Sequence, residues 1–180
     1  MNQLKTIVLV IFCLINTATL SGQDRLQSTD GFASFYSSAP LENIYAENKI
    51  VTSIIDLSNN EIAVVVPIKQ FSFKKKLMQK HFNEKYLESH IYPNATFTGH
   101  IYHPDSIVPK KTHAAYAEGD MTIHGVTKSI KLEGTYTSYG DSIVLKTEFT
   151  LRPEDYKVKI PKLLRRNIAE EVLVKVYIRY

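Results

Sequence analysis

The sequence predicts an all-β fold: a single antiparallel barrel of eight strands, with one short helix after the third strand. Three observations support this fold. Eight stretches alternate between apolar and polar residues or are apolar throughout; most are joined by short turns, and small residues occupy many positions on one face. Closure of eight strands leaves no unpaired edge, and the interior is then either filled by side chains or holds one small ligand.

A hairpin at His124 and Gly125 sets the register of the two central strands. Glycine adopts positive φ freely and histidine tolerates it, so this pair suits a two-residue loop. The predicted pairs on one face are Ile123–Val126, Gly119–Ile130, Ala117–Leu132, Ala115–Gly134 and His113–Tyr136. The predicted pairs on the other face are Asp120–Ser129, Glu118–Lys131 and Tyr116–Glu133. One face is mostly apolar and the other polar, so a slip of one residue would destroy the match. Lys128 is the exception, beside Met121 on the apolar face.

The remaining stretches complete the barrel. Strands are predicted at 31–36, 45–57, 61–68, 95–103, 142–151 and 171–180. Residues 74–89 carry apolar side chains at spacings of three and four, which predicts an amphipathic helix. Its apolar residues are Leu77, Met78, Phe82, Tyr86 and Leu87. We expect this helix to cover one end of the sheet and to end before Pro93.

The amino-terminal residues 1–22 have the pattern of a secretory signal. One lysine precedes an apolar run at 7–15, and small or polar residues follow up to Gly22. The only cysteine, Cys13, lies in that run without the small-residue pattern of a lipoprotein cleavage site. We therefore expect residues 23–180 to form one periplasmic or secreted domain without a disulfide. Loss of Lys5 lowers the net charge from +4 to +3, which argues against a nucleic-acid binder.

The inward face of the predicted barrel leaves volume unfilled. Six small residues fall on it: Ala95, Gly99, Ala115, Ala117, Gly119 and Gly134. The predicted lining is Phe97, Ala115, Ala117, Gly119, Met121, Ile130, Leu132, Leu145, Phe149, Val174 and Val176. A dry apolar cavity of this kind suits a hydrocarbon. The alternative is a barrel filled by side chains, acting as a structural or interaction protein.

Three residues are candidates for binding a polar headgroup. Lys128 is the charged residue that the register places on the inner face close to a turn. It could equally direct its amine past the rim and shield Met121. His113 and Tyr136 form a polar pair on the same face, which suits either a ligand contact or a structural hydrogen bond.

Other functions have weaker support in the residues. A metal protein or enzyme of the cell envelope could use the six histidines, but His100 and His103 point to opposite sides of one strand. No glycine-flanked serine or close pair of carboxylates indicates a hydrolase, so no catalytic residue and no cofactor is predicted. The lysines at 74–80, with Lys162, Arg165 and Arg166, could touch an anionic membrane or simply be solvated. The sequence does not decide whether the barrel forms a homodimer.

Two longer motifs resemble a known family. HFNEKYLESHIYPNATFTG at 81–99 and GDMTIHGVTKSIKLEG at 119–134, together with the signal, resemble the YceI-like family of exported bacterial lipid-binding proteins. The resemblance covers most of residues 23–180. It implies an extended lipocalin-like barrel whose lumen holds a polyisoprenoid or other long lipid, without catalysis. Many members have Asp-x-x-His-Ser in the first strand, whereas Ala33 takes the histidine position here.

Overall fold

Eight long strands follow one another around a closed antiparallel sheet in the computed structural model, which describes residues 24–104, 108–140, 142–161 and 168–180. The described strands are β1 (Arg25–Ser38), β2 (Asn43–Asp56), β3 (Glu61–Pro67), β4 (Ser72–Phe73), β5 (Asn94–Tyr102), β6 (Thr112–Ile123), β7 (Val126–Ser138), β8 (Ile143–Leu151) and β9 (Val172–Arg179). The predicted signal at 1–22, with Cys13, lies outside the described residues. So do Lys162, Arg165 and Arg166.

The barrel closes through β1. This strand pairs with β2 on one side and with β9 on the other, and the remaining order is β9-β8-β7-β6-β5-β3-β2. The predicted eight-stranded antiparallel barrel is therefore confirmed. The additional strand β4 has two residues and pairs with Ala46 and Glu47 of β2. It extends the sheet locally and takes no part in closure.

The hairpin between β6 and β7 has the predicted register throughout. His124 has φ 51° and Gly125 has φ 71°, as a two-residue turn between twisted strands requires. All eight predicted pairs are present, and Lys128 lies opposite Met121. The apolar residues of both strands consequently face the barrel interior, and the polar residues on the other face point outward.

One helical segment follows β4, as predicted, but it is shorter than residues 74–89. It consists of α1 (Lys76–His81) and a π-helical turn (Phe82–Tyr86). Lys75 is extended, with φ −105°, and the positive φ of Glu88 ends the helical path. No helix among the described residues has the length and apolarity needed to span a membrane.

Four connections meet at one end of the barrel, which we call the helix end. They are residues 39–42, residues 68–93 with α1, the turn at 124–125, and the described parts of the connection from β8 to β9, residues 152–161 and 168–171. This follows from the antiparallel order: successive strands run in opposite directions, so successive connections alternate between the two ends of the barrel. The opposite end carries the connections from β2 to β3, from β5 to β6 and from β7 to β8.

Strand β2 pairs with β3 over residues 52–56 and with β4 at Ala46 and Glu47. Asn48 is fully buried between these two stretches, where its side-chain amide donates to the carbonyl of Pro67 at 2.8 Å. Its Oδ1 accepts the backbone N–H of Ile50 at 2.8 Å. The register between β1 and β2 shifts nearby, around Gly31. The buried amide thus has partners for both its donor and its acceptor, and it ties β2 to the end of β3.

The sheet opens between β7 and β8 towards the helix end. Their pairing stops at Gly134 and Thr147, although β7 continues to pair with β6 as far as Val126. A 3-10 turn, Pro153–Tyr156, directly follows β8. Its Asp155 contacts Lys128 at 3.1 Å, and its Tyr156 carbonyl lies 3.3 Å from His124 Nδ1. These contacts hold the connection after β8 against the β6–β7 turn.

Candidate functional site

A cavity of about 570 Å³ lies inside the barrel and extends to the helix end. All eight barrel strands contribute inward side chains to its wall, and most of these side chains are aliphatic or aromatic. The volume falls within the range of cavities that hold small organic ligands. A wall of this composition offers dispersion contacts and few hydrogen bonds, so it suits an apolar guest.

Nine of the eleven predicted lining residues surround this cavity: Phe97, Ala115, Ala117, Met121, Leu132, Leu145, Phe149, Val174 and Val176. Ala95 and Gly134 also line it. The alternating pattern of β5 to β9 was sufficient to identify these positions, because the register decides which side chains face inward. Their part in binding a ligand stays a prediction.

Gly119 and Ile130 were also predicted to line the cavity, but they do not. Gly119 lies directly opposite Gly99 in the β5–β6 pair, and a Cβ added at Gly119 would sit 2.5 Å from the Gly99 Cα. These two glycines let the strands approach closely and so enclose no lumen volume. Ile130 packs against the core cluster, as Leu132 does, but it lies outside the cavity wall.

The three predicted headgroup residues do not meet at the cavity. The Lys128 ammonium pairs with Asp155 and lies 5.7 Å from the centre of the Tyr156 ring. His113 Nε2 accepts the backbone N–H of Val108 at 3.1 Å. Tyr136 is buried, which raises its pKa. Lys128 is at the helix end and the other two are at the opposite end, so the three do not form one cluster, and a part for each in binding a headgroup stays a prediction.

Side chains fill the opposite end of the barrel. The rings of Tyr136 and His103 pack with centroids 4.8 Å apart. The Tyr180 hydroxyl lies 2.5 Å from Ser53 Oγ, and burial raises the pKa of Tyr180 to about 12. Because this end is packed and hydrogen-bonded, a guest with one polar end would place that end towards the helix end.

The polar part of the cavity wall at the helix end was not predicted. It comprises Ser37, Glu42, Lys75 and His81. Glu42 and Lys75 form an ion pair, and their side chains are 27% and 63% exposed. The lysine run at 74–76 was visible in the sequence, but its partner comes from the β1–β2 connection, 33 residues earlier. No local pattern could have joined the two.

Four phenylalanines join the helical segment to the barrel. The Phe82 ring lies 5.4 Å from Phe35, 5.6 Å from Phe71 and 5.0 Å from Phe73, measured between centroids. All four rings line the cavity. The helical segment is therefore part of the cavity wall as well as its cover, and such aromatic contacts stabilise beyond the area that they bury.

The alternative of a histidine-based metal protein or enzyme has no supporting cluster of side chains among the described residues. Within the residues that the structure describes, no group of three His, Cys, Asp or Glu side chains could hold a metal ion. His124 Nε2 instead contacts Glu88 at 2.8 Å, and its ring packs against Tyr92. This histidine ties the β6–β7 turn to the end of the helical segment, a structural role that exceeds simple turn formation.

Comparisons with solved structures support the same fold. A polyisoprenoid-binding domain from Saccharophagus degradans superposes with a TM-score of 0.71 at 16% identity, covering 85% of this chain and 94% of that one. BcnA of Burkholderia cenocepacia gives 0.70 at 14% identity, with 83% and 96% covered. The YCEI protein of Campylobacter jejuni gives 0.58 at 15% identity, with 74% and 81% covered.

No protein with a curated description matches the chain. A match at the level of sequence comes from a family profile described as the YceI-like domain, which covers residues 26–180. This range includes every described strand except the first residue of β1, and both motifs that carried the resemblance. The chain therefore belongs to the YceI-like domain family.

Proposed function

We propose that this protein binds a long apolar amphiphile, a polyisoprenoid or another lipid, in the lumen of its barrel. The observation that carries the proposal is the apolar cavity of about 570 Å³, closed by packed side chains at one end and bordered by polar ones at the other. The protein performs no chemical step on this ligand. It carries or stores the molecule outside the cytoplasm, where residues 1–22 direct it.

The driving force is burial of the ligand's chain. Each CH₂ group removed from water contributes about 0.8 kcal/mol. A chain of roughly ten carbons therefore supplies enough free energy for useful affinity after the translational and conformational entropy of binding is lost. The aromatic wall formed by Phe35, Phe71, Phe73 and Phe82 adds contacts at the helix end. The ligand's polar end lies near Glu42 and Lys75, where water is accessible.

The comparisons agree with this assignment at the level of the family. One of the similar structures is described as a polyisoprenoid-binding domain. We extend that ligand class to this chain because its cavity is of suitable size and apolarity. Transient contact with a membrane belongs to the same proposal, since a lipid of this kind resides in membranes. The proposal holds for a monomer and for a homodimer.

The test compares two substitutions that add the same ring to β6. Ala117→Phe projects into the cavity, whereas Ala114 is exposed on the outer face of the same strand. Wild type, Ala117→Phe and Ala114→Phe are purified from the native host and examined by native mass spectrometry. We expect a non-covalent lipid adduct on wild type and on Ala114→Phe, and a reduced or absent adduct on Ala117→Phe.

Thermal unfolding of the same three proteins, first freed of lipid in denaturant and refolded, separates an open lumen from a filled one. An open lumen accepts the ring at position 117 with little loss of stability, because the added atoms occupy empty space. A filled barrel would lose about 1–3 kcal/mol through overpacking. Repeated purification of wild type without any lipid adduct would contradict the proposed function.

A further inference from the structure

Two strongly exposed leucines lie at the helix end. Leu77 on α1 is 64% exposed and also lines the cavity. Leu41, in the connection between β1 and β2, is 62% exposed. The ion pair between Glu42 and Lys75 joins the two segments that carry these leucines. Leu41 and Leu77 are therefore exposed apolar groups on segments held together beside the opening of the cavity.

Lysines surround these leucines. Lys74, Lys75, Lys76 and Lys80 are all exposed on or beside α1. Near α1 the acidic side chains are Glu42, which is paired with Lys75, and Glu84, one turn further along; Glu154, Glu170 and Glu171 lie in the connection from β8 to β9. Glu88 and Asp155, also at this end, contact His124 and Lys128. Around α1, four lysines stand against two acidic residues, so this part of the surface carries an excess of positive charge.

We propose that this surface, formed by Leu41, Lys74, Lys76, Leu77 and Lys80, docks on an anionic lipid bilayer. We call it the leucine-lysine surface. The two leucines insert among the lipid headgroups while the lysines contact phosphates, the combination of apolar insertion and charge that interfacial binding requires. The inference rests on the proposed function, because docking places the opening of the lumen against the source of an apolar cargo.

The position of the opening favours a bilayer over a protein partner. Leu77 is at once part of the cavity wall and part of the exposed surface, so the apolar lining continues to the outside at this point. A lipid leaving a bilayer there would stay in contact with apolar side chains and would not have to cross water. That path lowers the free-energy barrier for transfer, since exposure of each CH₂ group to water is unfavourable.

The test measures binding to vesicles by flotation. Wild type is mixed with vesicles of phosphatidylethanolamine and phosphatidylglycerol, or of phosphatidylcholine alone, at low and high salt. We expect binding to the anionic vesicles, at least tenfold weaker binding to the neutral ones, and weakening by salt. The triple variant Lys74→Glu/Lys76→Glu/Lys80→Glu should lose at least tenfold in affinity, and Leu41→Ser should also bind more weakly.

Matched controls come from the opposite end of the barrel. Lys110→Glu/Lys111→Glu reverses exposed lysines in the β5–β6 connection, and Leu57→Ser removes an exposed leucine in the turn after β2. Both control variants should bind anionic vesicles like wild type. Equal losses in the control and test variants would overturn the docking surface. So would equal binding of wild type to anionic and neutral vesicles.

A second measurement separates this inference from the proposed function. The charge variant alters no residue of the lumen, so after equilibration with the extracted lipid its adduct in native mass spectrometry should equal that of wild type. A lipid-loaded wild type that fails to bind any vesicle would overturn docking and leave the proposed function standing. A wild type that binds anionic vesicles but carries no lipid, both as purified and after incubation with those vesicles, would support docking and contradict the proposed function. Dimerisation that Leu41→Ser abolishes, without vesicle binding, would assign the surface to a second copy of the chain.

Discussion

At the scale of single residues, a close approach between β5 and β6 depends on two glycines. Gly99 and Gly119 face each other in the β5–β6 pair, and a Cβ on Gly99 would lie 2.7 Å from the Gly119 Cα. We expect Gly119→Ala to destabilise the protein by roughly 2–4 kcal/mol, because strand backbones and not flexible side chains would have to move. Urea unfolding monitored by circular dichroism measures the difference.

Gly140 supplies the control for this substitution. It has φ +80° with no atom within 4 Å of an added Cβ, so Gly140→Ala introduces backbone strain without a clash. We expect a loss of about 1 kcal/mol from Gly140→Ala. A Gly119→Ala variant no less stable than Gly140→Ala would show that the strands can separate at little cost.

Asp56 is the carboxylate whose environment predicts an acid-dependent loss of stability. The Ser58 hydroxyl at 2.5 Å and the Arg25 guanidinium at 2.8 Å both donate to it, which lowers its pKa from 3.8 to about 2. A lowered pKa stabilises the folded state above the unfolded value, near 4, and this contribution disappears as the pH falls to about 2. Asp56→Asn should therefore be less stable than wild type at pH 6.

Urea midpoints of the two proteins between pH 6 and pH 2 test this prediction. The difference between wild type and Asp56→Asn should stay constant down to about pH 5 and then shrink towards zero near pH 2. A difference that does not change with pH would mean that the carboxylate charge contributes nothing and that only the hydrogen-bond geometry matters.

The sequence identified most residues that face the lumen but not the partners of Lys128, and the reason is physical. The positions of Ala115, Ala117 and Leu132 follow from the alternation of side chains and one hairpin register. The environment of Lys128 depends on Asp155, which a non-local connection brings to it. The alternation along a strand predicts which face of the sheet a side chain occupies. The contacts of that side chain also depend on loops that are distant in the sequence.

At the scale of elements, the helical segment is held to the barrel by Phe82. This ring contacts three phenylalanines from β1 and from the stretch between β3 and α1, while Lys85 on the same segment is exposed. We expect Phe82→Ala to cost about 2–3 kcal/mol, towards the lower end for phenylalanine because the ring is partly exposed. Lys85→Ala should change stability by less than about 0.5 kcal/mol.

Hydrogen exchange shows whether this loss is local. In Phe82→Ala the backbone amides of residues 76–89 should exchange faster, while those of β6 and β7 stay protected, because the segment can detach without opening the sheet. Uniformly faster exchange across the barrel would show instead that the segment and the sheet unfold together.

Strands and helices were predicted correctly where the local sequence alone determines their ends and register. The β6–β7 hairpin was predicted residue by residue, because a two-residue turn leaves one register. The helix was predicted at 74–89 from its apolar periodicity. That periodicity gives no sign of the extended backbone at Lys75 or of the π-helical turn at Phe82–Tyr86. β1 begins at Arg25, before the predicted 31–36, because pairing with β2 extends a stretch that alternates only weakly.

At the scale of the whole molecule, the number of strands predicts that the barrel closes, but it does not predict the shape of the cavity's opening. Eight alternating stretches require a closed barrel if no edge is to remain exposed. The end at which the cavity opens depends on the helical segment, the connection after β8 and the packing of Tyr136 and Tyr180. These contacts join residues far apart in the sequence, so they could be known only from the fold.

A bound ligand should stabilise the whole barrel, because the cavity exists only in the folded state. Binding at a free ligand concentration of one hundred times Kd adds about 2.7 kcal/mol to the free energy of unfolding. For a chain of this size that corresponds to a rise in Tm of about 5–10 °C. Residues 24–180 contain no cysteine, so the protein can be unfolded in denaturant, freed of lipid and refolded without disulfide exchange.

Calorimetry before and after this treatment gives the shift. Wild type and Ala114→Phe should lose about 5–10 °C on removal of lipid and recover it when the extracted lipid is returned, whereas Ala117→Phe, with its lumen occupied, should show little change. Recovery with added lipid distinguishes ligand loss from damage during refolding. An unchanged Tm in wild type after verified lipid removal would mean that the cavity contributes no binding energy. In that case the apolar lumen would be a consequence of barrel geometry and not the site of function.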